Sequence, residues 1–394
     1  MRGYRLKTHP GLQKGPIYLD YNATTPVDPV VVEAMLPYLS TQFGNPSSTH
    51  RYGHRAHQAV DNARQQVAGL LHCSPGEIIF TAGGSESDNL AIRGVALARR
   101  ASGNHIITQI TEHPAVLNTC RALERLHGFR ITYVPVDAAG RVSPADVEAA
   151  IDGQTVLITI MHANNETGTL QPIAEIAQLA RRHGVLMHSD AAQSVGKIPT
   201  RLDELPVDLL TIAGHKVYAP KGVGALYVRQ GLQLEPVIYG GGQEAGRRAG
   251  TENIAYIVAL GAACIVAQEQ LEESQERLRK LRDLLQRRLE APLPGSVHLN
   301  GHASERLPNT LNISIDRVIG EEVLAATPGV ASSTGSACHE GNTDPSPVLL
   351  AMELSRETAL GALRLTLGRW SSEEEVEQAA TLLVRTIATL QNKR

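Results

Sequence analysis

The sequence lacks any run of eighteen consecutive apolar residues, and this absence predicts a chain without a membrane-spanning segment. The first sixteen residues are polar and contain no apolar stretch of the kind found in a secretory signal. The formal net charge is only −3, so the chain has no basic excess for nucleic acid and no polybasic run for a membrane surface. Together these absences predict a cytoplasmic protein that contacts neither nucleic acid nor membrane directly.

Cysteine is scarce as well. Four cysteines stand at positions 73, 120, 264 and 338, and no two of them form a Cys-x-x-Cys pair. This spacing argues against a structural zinc site, and four cysteines in 394 residues do not suggest a disulfide scaffold. We therefore expect reduced thiols and no metal site, with one or two thiols at most taking part in chemistry.

The chain is long enough for two domains, since 394 residues exceed what one hydrophobic core usually organises. Short β-branched runs alternate with longer helical patterns through its first part, which indicates an α/β fold with a mainly parallel sheet covered by helices on both faces. The predicted strands are Ile78–Thr81, His105–Ile110, Ile131–Val136, Val156–Met161, Val185–Ser189, Leu209–Ile212 and Gly224–Val228.

The pattern changes near residue 250, and we place a domain boundary there. Residues 25–252 are predicted to form the large domain. A long helical stretch from about Asn253 to Glu290, a strand over Thr310–Ile315 and two helices flanking Ala362–Leu367 indicate a smaller α+β domain. This smaller domain is predicted to contain residues 1–24 and 253–394.

Three polar residues lie where predicted strands end, the edge at which ligands bind in open α/β sheets. Lys216, Asp190 and His113 each follow or close a separate apolar run. Each also has a purely structural interpretation. Lys216 could be an ordinary surface lysine, Asp190 could cap a helix, and His113 could be a histidine whose ring is hydrogen-bonded within the protein. Their shared position favours a cofactor site, in which an aspartate can keep a pyridine nitrogen protonated.

Two further segments suit the binding of anions. The glycine turn before Ser85 ends a strand and opens a helix, where free N–H groups bind phosphate, although Ser85 and Asp88 also fit a capping box. Arg364 alternates with apolar residues on a predicted strand. Such a guanidinium either takes a carboxylate through two hydrogen bonds or forms a structural salt bridge.

Cys338 differs from the other cysteines because it lies in a polar loop rich in glycine and serine, from Ser332 to His339. The other three cysteines lie in helix-like contexts. An exposed thiol in such a loop can reach a substrate and then a partner. The length of the loop also predicts a mobile arm rather than a rigid lid.

Seven short motifs follow one another along the chain. They are Leu19-Asp20-Tyr21-Asn22-Ala23-Thr24-Thr25-Pro26, Gly44-Asn45-Pro46-Ser47-Ser48, Glu112-His113, Asn164-Asn165-Glu166-Thr167-Gly168, Asp190-Ala191-Ala192-Gln193-Ser194, Gly214-His215-Lys216 and Arg248-Ala249-Gly250-Thr251. They occur in the order seen in cysteine desulfurases, which are aminotransferase class V enzymes, and the resemblance runs from about Ile17 to the C-terminus. It implies the fold type I of transferases that depend on pyridoxal phosphate (PLP), with a large domain around a mainly parallel seven-stranded sheet and a smaller α+β domain.

The resemblance implies roles for the residues around the cofactor ring. Lys216 would hold PLP as a Schiff base and then move protons, and Asp190 would pair with the pyridine nitrogen. His113 would stack on the ring and act as acid and base. Gln193 would donate a hydrogen bond to the ring hydroxyl, with Asn165 nearby.

The resemblance also implies roles at the phosphate and the substrate. The phosphate-binding residues would be Gly84, Ser85, His215 and, from the other subunit of a homodimer, Thr251. Arg364 would bind the substrate carboxylate with help from Asn22 and Asn165. Cys338 would take the sulfur of L-cysteine as a persulfide, leaving L-alanine.

Two departures from the family pattern matter. Ala213 stands where many cysteine desulfurases have a serine that contributes to the phosphate site, so one phosphate contact is absent or replaced. Pro345-Ser346-Pro347-Val348-Leu349 stands where the common pattern is Pro-Ser-His-Val-Leu. Together with His339 and Gly242-Gln243-Glu244, this segment is similar to selenocysteine lyases.

The leading prediction is a cysteine desulfurase, and three alternatives stay open. The first alternative is a selenocysteine lyase. The second is another PLP-dependent lyase or aminotransferase in which Cys338 has no role in the reaction. The third is a binding protein that keeps the fold without catalysis. The sequence does not name the sulfur acceptor, which could be an iron–sulfur scaffold, a tRNA-thiolation carrier or a dedicated activator.

Overall fold

A seven-stranded sheet forms the centre of the larger part of the molecule. The computed structural model describes residues 8–335 and 344–393. In chain order the strands of this sheet are β2 (Ile78–Thr81), β3 (His105–Gln109), β4 (Arg130–Val134), β5 (Thr155–Thr159), β6 (Leu186–Asp190), β7 (Leu209–Ala213) and β8 (Gly224–Val228). Their spatial order is β2-β8-β7-β6-β5-β3-β4. Strand β8 runs in the direction opposite to the other six, which confirms the prediction of a mainly parallel seven-stranded sheet.

Helices cover both faces of this sheet because its central strands are apolar on both sides. Successive residues point to opposite faces, so Ile106 packs in the core on one face and Ile107 in the core on the other. The helices that precede or connect the strands are α1 (Pro29–Ser40), α2 (Arg51–Leu71), α3 (Gly84–Ala98), α4 (Pro114–His127), α5 (Pro144–Ala150) and α6 (Ile173–Arg182). Helices α3 and α4 cover one face, while α2 and α6 cover the other.

A second, smaller sheet lies in the C-terminal part. It has the antiparallel strands β9 (Val297–Leu299), β10 (Thr310–Ile315) and β12 (Ala362–Thr366), in the order β12-β10-β9. A parallel pair joins β1 (Ile17–Tyr18) to β11 (Val330–Ala331). The helices of this part are α8 (Gly320–Ala325), α9 (Pro347–Ala351), α10 (Arg356–Leu360) and α11 (Glu373–Gln391).

One long helix, α7 (Ile254–Glu290), contributes to both hydrophobic cores. Its first part packs with α1 and α2 through residues such as Leu260, and its second part packs with β10, β12 and α11 through residues such as Leu285. Gly261 allows close contact with α2, since a Cβ there would lie 2.8 Å from the Cα of Ala63. The predicted domain boundary at residue 252 stays a prediction, because the helix that follows it belongs to both cores.

Among the described helices, α7 is the one long and apolar enough, by length and composition, to cross a membrane. The sequence contains no run of eighteen consecutive apolar residues, but this helix still meets a criterion based on mean hydropathy. However, 56% of the apolar window is buried inside the structure, as in the core helix of a soluble protein. The apolar surface of α7 is used in packing against α1, α2 and the sheet.

The sheet brings the polar residues at its strand ends to one edge. Asp190 closes β6, Lys216 lies in a single helical turn after β7, and the Gly83 turn follows β2. His113 follows β3, and Asn165 follows β5. Because these strands are parallel to one another, their carboxyl ends meet along the same edge and form one cleft.

A buried ion pair ties the C-terminal part to the beginning of α1. The guanidinium of Arg369 bonds Asp28, the capping residue of α1, and lies 4.1 Å from the ring centre of Tyr218. Both charged side chains are almost fully buried. Removing one partner of such a pair leaves an uncompensated charge in a desolvated place.

We expect Arg369→Met to lower the free energy of unfolding by about 3–5 kcal/mol, measured by urea denaturation. The double variant Asp28→Asn with Arg369→Met should lose less than the sum of the two single changes. The exposed pair Arg288–Glu377 is the control, and Arg288→Met should lose only about 0.2–1 kcal/mol. Equal losses for both arginines would contradict the role given to burial.

Candidate active site

Lys216 lies in the cleft with its amine held by the N-terminal segment. Its Nζ donates to the backbone carbonyls of Asn22 and Ala23, the latter at 2.8 Å. Burial and the charge of Arg364 lower the pKa of this amine to about 8, against the opposing charges of Asp190 and Asp20. More of the amine is therefore neutral and nucleophilic near neutral pH than for an ordinary lysine.

Asp190 is buried at the end of the neighbouring strand. Its Oδ1 accepts the Ala192 N–H at 2.8 Å and closes a turn, but no described helix begins there, so the helix-cap interpretation is wrong. Burial raises the pKa of this carboxyl, while the Ala192 amide and the charges of His113 and Lys216 oppose the rise. Asp190, His113 and Lys216 are thus close enough to act on one another's protonation.

Two further acids are buried near Asp190. Burial raises the pKa of Asp88 well above its usual range, and the charge of Asp190 adds to this rise. Burial also raises the pKa of Glu112, although its Oε1 accepts the Met161 N–H at 2.6 Å. Of the three carboxyl groups, Asp190 is the one with cationic neighbours, and these favour its ionised form.

His113 caps helix α4 with its ring. Its Nδ1 accepts the Ala115 N–H at 3.1 Å, so the neutral ring carries its proton on Nε2. Desolvation within the cleft lowers the pKa of the imidazole, with Asp190 opposing and Lys216 adding to the shift. His113 is nevertheless exposed, so its ring is accessible to a ligand.

Gln193 and Asn22 belong to one buried hydrogen-bond network. The Nε2 of Gln193 donates to the backbone carbonyl of Asn22 at 3.0 Å, and its Oε1 accepts from Lys197 at 2.9 Å. The side chain of Asn22 donates to Thr310 at 2.9 Å and to the Asn165 carbonyl at 3.3 Å. The amide of Asn22 is thus already engaged inside the protein, and binding a substrate carboxylate would require breaking one of these bonds.

Arg364 forms the structural salt bridge that the sequence allowed, and it could also bind a substrate carboxylate as the sequence suggested. Its Nη2 bonds Asp20 at 2.9 Å and its Nη1 bonds the Asn165 carbonyl at 3.1 Å. The buried Nε has no hydrogen-bond partner among the described residues. A buried donor without an acceptor is costly, and a ligand carboxylate in the cleft would supply one.

The start of α3 provides free backbone donors. The first bond of this helix runs from the Ser87 N–H to the Gly83 carbonyl at 3.1 Å, so the N–H groups of Gly84, Ser85 and Glu86 have no acceptor within the helix. A Cβ at Gly84 would lie 3.2 Å from the Cβ of Ala213, which places this turn against the end of β7.

The other predicted phosphate residues lie in different surroundings. His215 bonds Thr24 through Nδ1 at 3.2 Å, and burial, together with nearby lysines, lowers the pKa of its ring to about 4. Thr251 is exposed just before α7, and no hydrogen bond in the described part of the chain joins it to the other predicted site residues. Among the described residues, the structure therefore brings the predicted cofactor and substrate residues into one cleft, with the exception of Thr251.

Cys338 and its neighbour His339 lie outside the described residues. The other three cysteines have raised thiol pKa values of about 12, chiefly because of burial. Thiols of this kind are largely protonated at neutral pH and poor nucleophiles. The role of Cys338 as sulfur acceptor stays a prediction from the sequence.

Two charged residues of the cleft were not singled out from the sequence. Asp20 pairs with Arg364 across 344 positions of the chain, and only the fold reveals such a contact. Lys197 is buried beside Gln193 and Asn22. The signal available for Lys197 was its spacing of four residues from Gln193, which places two side chains on one face when the backbone is helical.

Comparisons with known proteins agree with this geometry. The aminotransferase class-V profile matches residues 17–379. The chain is 48% identical to a protein of Dictyoglomus turgidum named cysteine desulfurase IscS, over 96% of each chain. A solved structure named NifS-like protein superposes with a TM-score of 0.88 at 37% identity, covering 96% of this chain and 100% of that one. Another, named SspA in complex with cysteine, has a TM-score of 0.80 at 40% identity, covering 90% and 99%.

These relatives confirm the resemblance and the fold type I architecture that the motifs implied. Because the family profile spans most of the chain and the similarity extends over nearly its full length, this protein belongs to the aminotransferase class-V family.

Proposed function

We propose that this protein is a PLP-dependent cysteine desulfurase. It converts L-cysteine to L-alanine and transfers the sulfur to Cys338 as a persulfide for delivery to an acceptor. The observation that carries the proposal is the buried amine of Lys216, with its pKa lowered to about 8, close to Asp190 at the next strand end. The near full-length similarity to proteins named cysteine desulfurase supports the choice of reaction.

The residues of the cleft fit PLP group by group. Lys216 supplies an amine for the aldehyde, and Asp190 supplies a carboxylate for the pyridine nitrogen. The free N–H groups of Gly84 and Ser85 suit the phosphate. Ala213 offers no hydroxyl to that phosphate, so the backbone donors of α3 and the ring of His215 carry more of its binding.

When bound, PLP supplies an electron sink that makes the bonds at the substrate Cα and Cβ labile. Asp190 keeps the pyridine nitrogen protonated through its negative charge. Lys216 takes the proton from Cα and holds it for return, and His113 offers its Nε2–H to the reacting groups. Arg364 orients the substrate through its carboxylate.

The sulfur step is carried by the thiolate of Cys338. The thiolate attacks the substrate sulfur, a sulfur–sulfur bond forms and the bond from Cβ to sulfur breaks. The electron pair of the broken bond stays with the carbon skeleton, which takes up two protons in all and leaves as alanine. The sulfur remains on Cys338 as a persulfide, so no outside oxidant or reductant is needed.

The other interpretations are less well supported. The relatives are named cysteine desulfurase, and one similar structure was solved with cysteine, so selenocysteine lyase is not favoured despite Pro347 and His339. The presence of Lys216, Asp190 and His113 in one cleft argues against a fold retained without catalysis.

The proposal has three finer parts. We place the protein in the cytoplasm, as a homodimer in which Thr251 of each subunit serves the other subunit's cofactor. The exposure of Thr251 is compatible with such a role. We also propose an acceptor protein for the sulfur, such as an iron–sulfur scaffold or a tRNA-thiolation carrier.

We expect the purified protein with PLP to release alanine from L-cysteine. Cys338→Ala should keep the visible absorbance of the cofactor but lose alanine formation by at least about a hundredfold, because the sulfur acceptor is gone. Cys73→Ala is the matched control and should keep full turnover. Unchanged turnover by Cys338→Ala would exclude Cys338 as acceptor, and turnover of selenocysteine without cysteine would contradict the proposed substrate.

We also expect PLP to enter the cofactor-free protein faster as the pH rises, with a half-maximal rate near pH 8. Only the neutral amine of Lys216 attacks the aldehyde, and its pKa is lowered to about 8. Arg364→Met should move the midpoint upward, because it removes a charge that lowers this pKa, and Asp190→Asn should move it downward.

The rate is followed by the visible absorbance of the bound cofactor in stopped-flow mixing. Nα-acetyl-lysine amide, whose remaining side-chain amine has an ordinary pKa of about 10.4, serves as control in the same buffers. A rate that is constant between pH 6 and 10 would show that the Lys216 amine does not limit incorporation.

A further inference from the structure

Lys197 is a buried amine that the proposed reaction does not use. Its side chain lies among Gln193 and Asn22, with 8% of the residue exposed. No carboxylate of the described residues lies within ion-pair distance of it. Its Nζ donates to Gln193 Oε1 at 2.9 Å and to Asn22 Oδ1 at 3.3 Å.

Such a position is unfavourable for stability alone. Desolvating an amine without a carboxylate partner disfavours its charged form. Accordingly burial lowers the pKa of Lys197 well below its usual value, with Lys216 and Arg364 adding to the shift. An apolar side chain of the same length would fill the volume without this penalty, so the amine itself calls for an explanation.

The hydrogen-bond chemistry of lysine supplies one. Both hydrogen bonds of Lys197 run from its Nζ to amide oxygens, and a glutamine amide has an oxygen on one side and an NH₂ group on the other. The Gln193 oxygen therefore faces Lys197, and its NH₂ group faces the opposite way. That NH₂ group donates to the Asn22 carbonyl at 3.0 Å, the same carbonyl that accepts from Lys216.

Lys197 acts in the same manner on Asn22. The Asn22 Oδ1 accepts from Lys197 and also from Asn309 at 3.0 Å, and its Nδ2 donates to Thr310 at 2.9 Å. The amine of Lys197 thus donates to the oxygens of two amides, and the amide of Asn22 is also held by Asn309 and Thr310. Of the two, Gln193 is the one whose NH₂ group shares an acceptor with Lys216.

We propose that Lys197 is a positioning residue that fixes the NH₂ group of Gln193 toward the cofactor ring. The inference rests on the proposed function, because the group that Gln193 would meet is the ring hydroxyl of PLP. An N–H donor stabilises the ionised hydroxyl, whereas a reversed amide would place an oxygen against it. Lys197 therefore acts on the electronic state of the cofactor through a side chain that it contacts, without touching the cofactor itself.

The test is the pH titration of the visible absorbance of the PLP-loaded protein. The midpoint of this titration is the pH at which half of the Schiff base formed with Lys216 has lost its proton. In the deprotonated form, the negative charge on the ring oxygen is no longer shared with that proton. Loss of the N–H donor at this oxygen therefore disfavours the deprotonated form. Lys197→Met should therefore raise the midpoint by about one pH unit. Gln193→Ala should raise it by a similar amount, and the double variant should show no further shift, because both changes remove the same interaction.

Lys221→Met is the matched control. Lys221 lies on the same segment as Lys216, is exposed and has no hydrogen bond to Gln193 or Asn22. Its removal takes away one positive charge near the site and should leave the midpoint unchanged. If Lys197→Met does not fold, as judged by thermal melting, Lys197→Gln is measured instead. Its amide can accept as well as donate, so it should also raise the midpoint.

Two outcomes overturn the inference. An unchanged midpoint in a folded Lys197 variant would do so, and so would fully additive shifts of Lys197→Met and Gln193→Ala, because both mean that Lys197 does not act through Gln193. A failure of the proposed function has a different signature. In that case the unaltered protein shows no visible chromophore that disappears in Lys216→Ala.

Discussion

The hydrogen bonds of Asn22 hold the two sheets together around the cleft. Its backbone N–H donates to Thr366 of β12 at 3.0 Å, and its side chain donates to Thr310 of β10. Its carbonyl accepts from Lys216 and Gln193, which belong to the larger sheet and its connections. A buried amide must satisfy its polar groups, so these bonds fix the position of one part relative to the other.

The charges of the cleft follow from the same arrangement. Asp190 lies beside two buried acids whose pKa values are raised by burial, and burial with the charge of Arg364 lowers the pKa of Lys216 to about 8. The cleft therefore shifts the pKa of an acid upward and that of an amine downward at adjacent strand ends. Arg364 contributes twice, because it lowers the pKa of Lys216 and because its Nε, which has no acceptor within the described part of the chain, is available to a substrate.

Much of the fold was predictable because apolar runs and strand ends are visible in the sequence. Lys216, Asp190 and His113 could be placed at one edge for this reason. The direction of β8 was not predicted, since Gly224–Val228 has the same apolar composition as the parallel strands. Its connection from β7 spans only residues 214–223 and contains no crossover helix, which is a signal for an antiparallel neighbour.

The remaining parts of the site depend on contacts that sequence spacing does not encode. The pairing of Asp20 with Arg364 and the placement of Asn22 next to Lys197 join residues far apart in the chain. Thr251 was assigned to the cofactor by resemblance alone, and its place in the fold shows only that it is exposed. Long-range polar networks of this kind arise from the packing of the two sheets.

Helix α7 has a mechanical consequence for access to the cleft. It contains no proline, and its two halves are embedded in different cores. A hinge motion between the two parts would have to bend a continuous helix and break its backbone hydrogen bonds. The width of the cleft is therefore set when the chain folds, and we expect a substrate to enter through movements of side chains and loops.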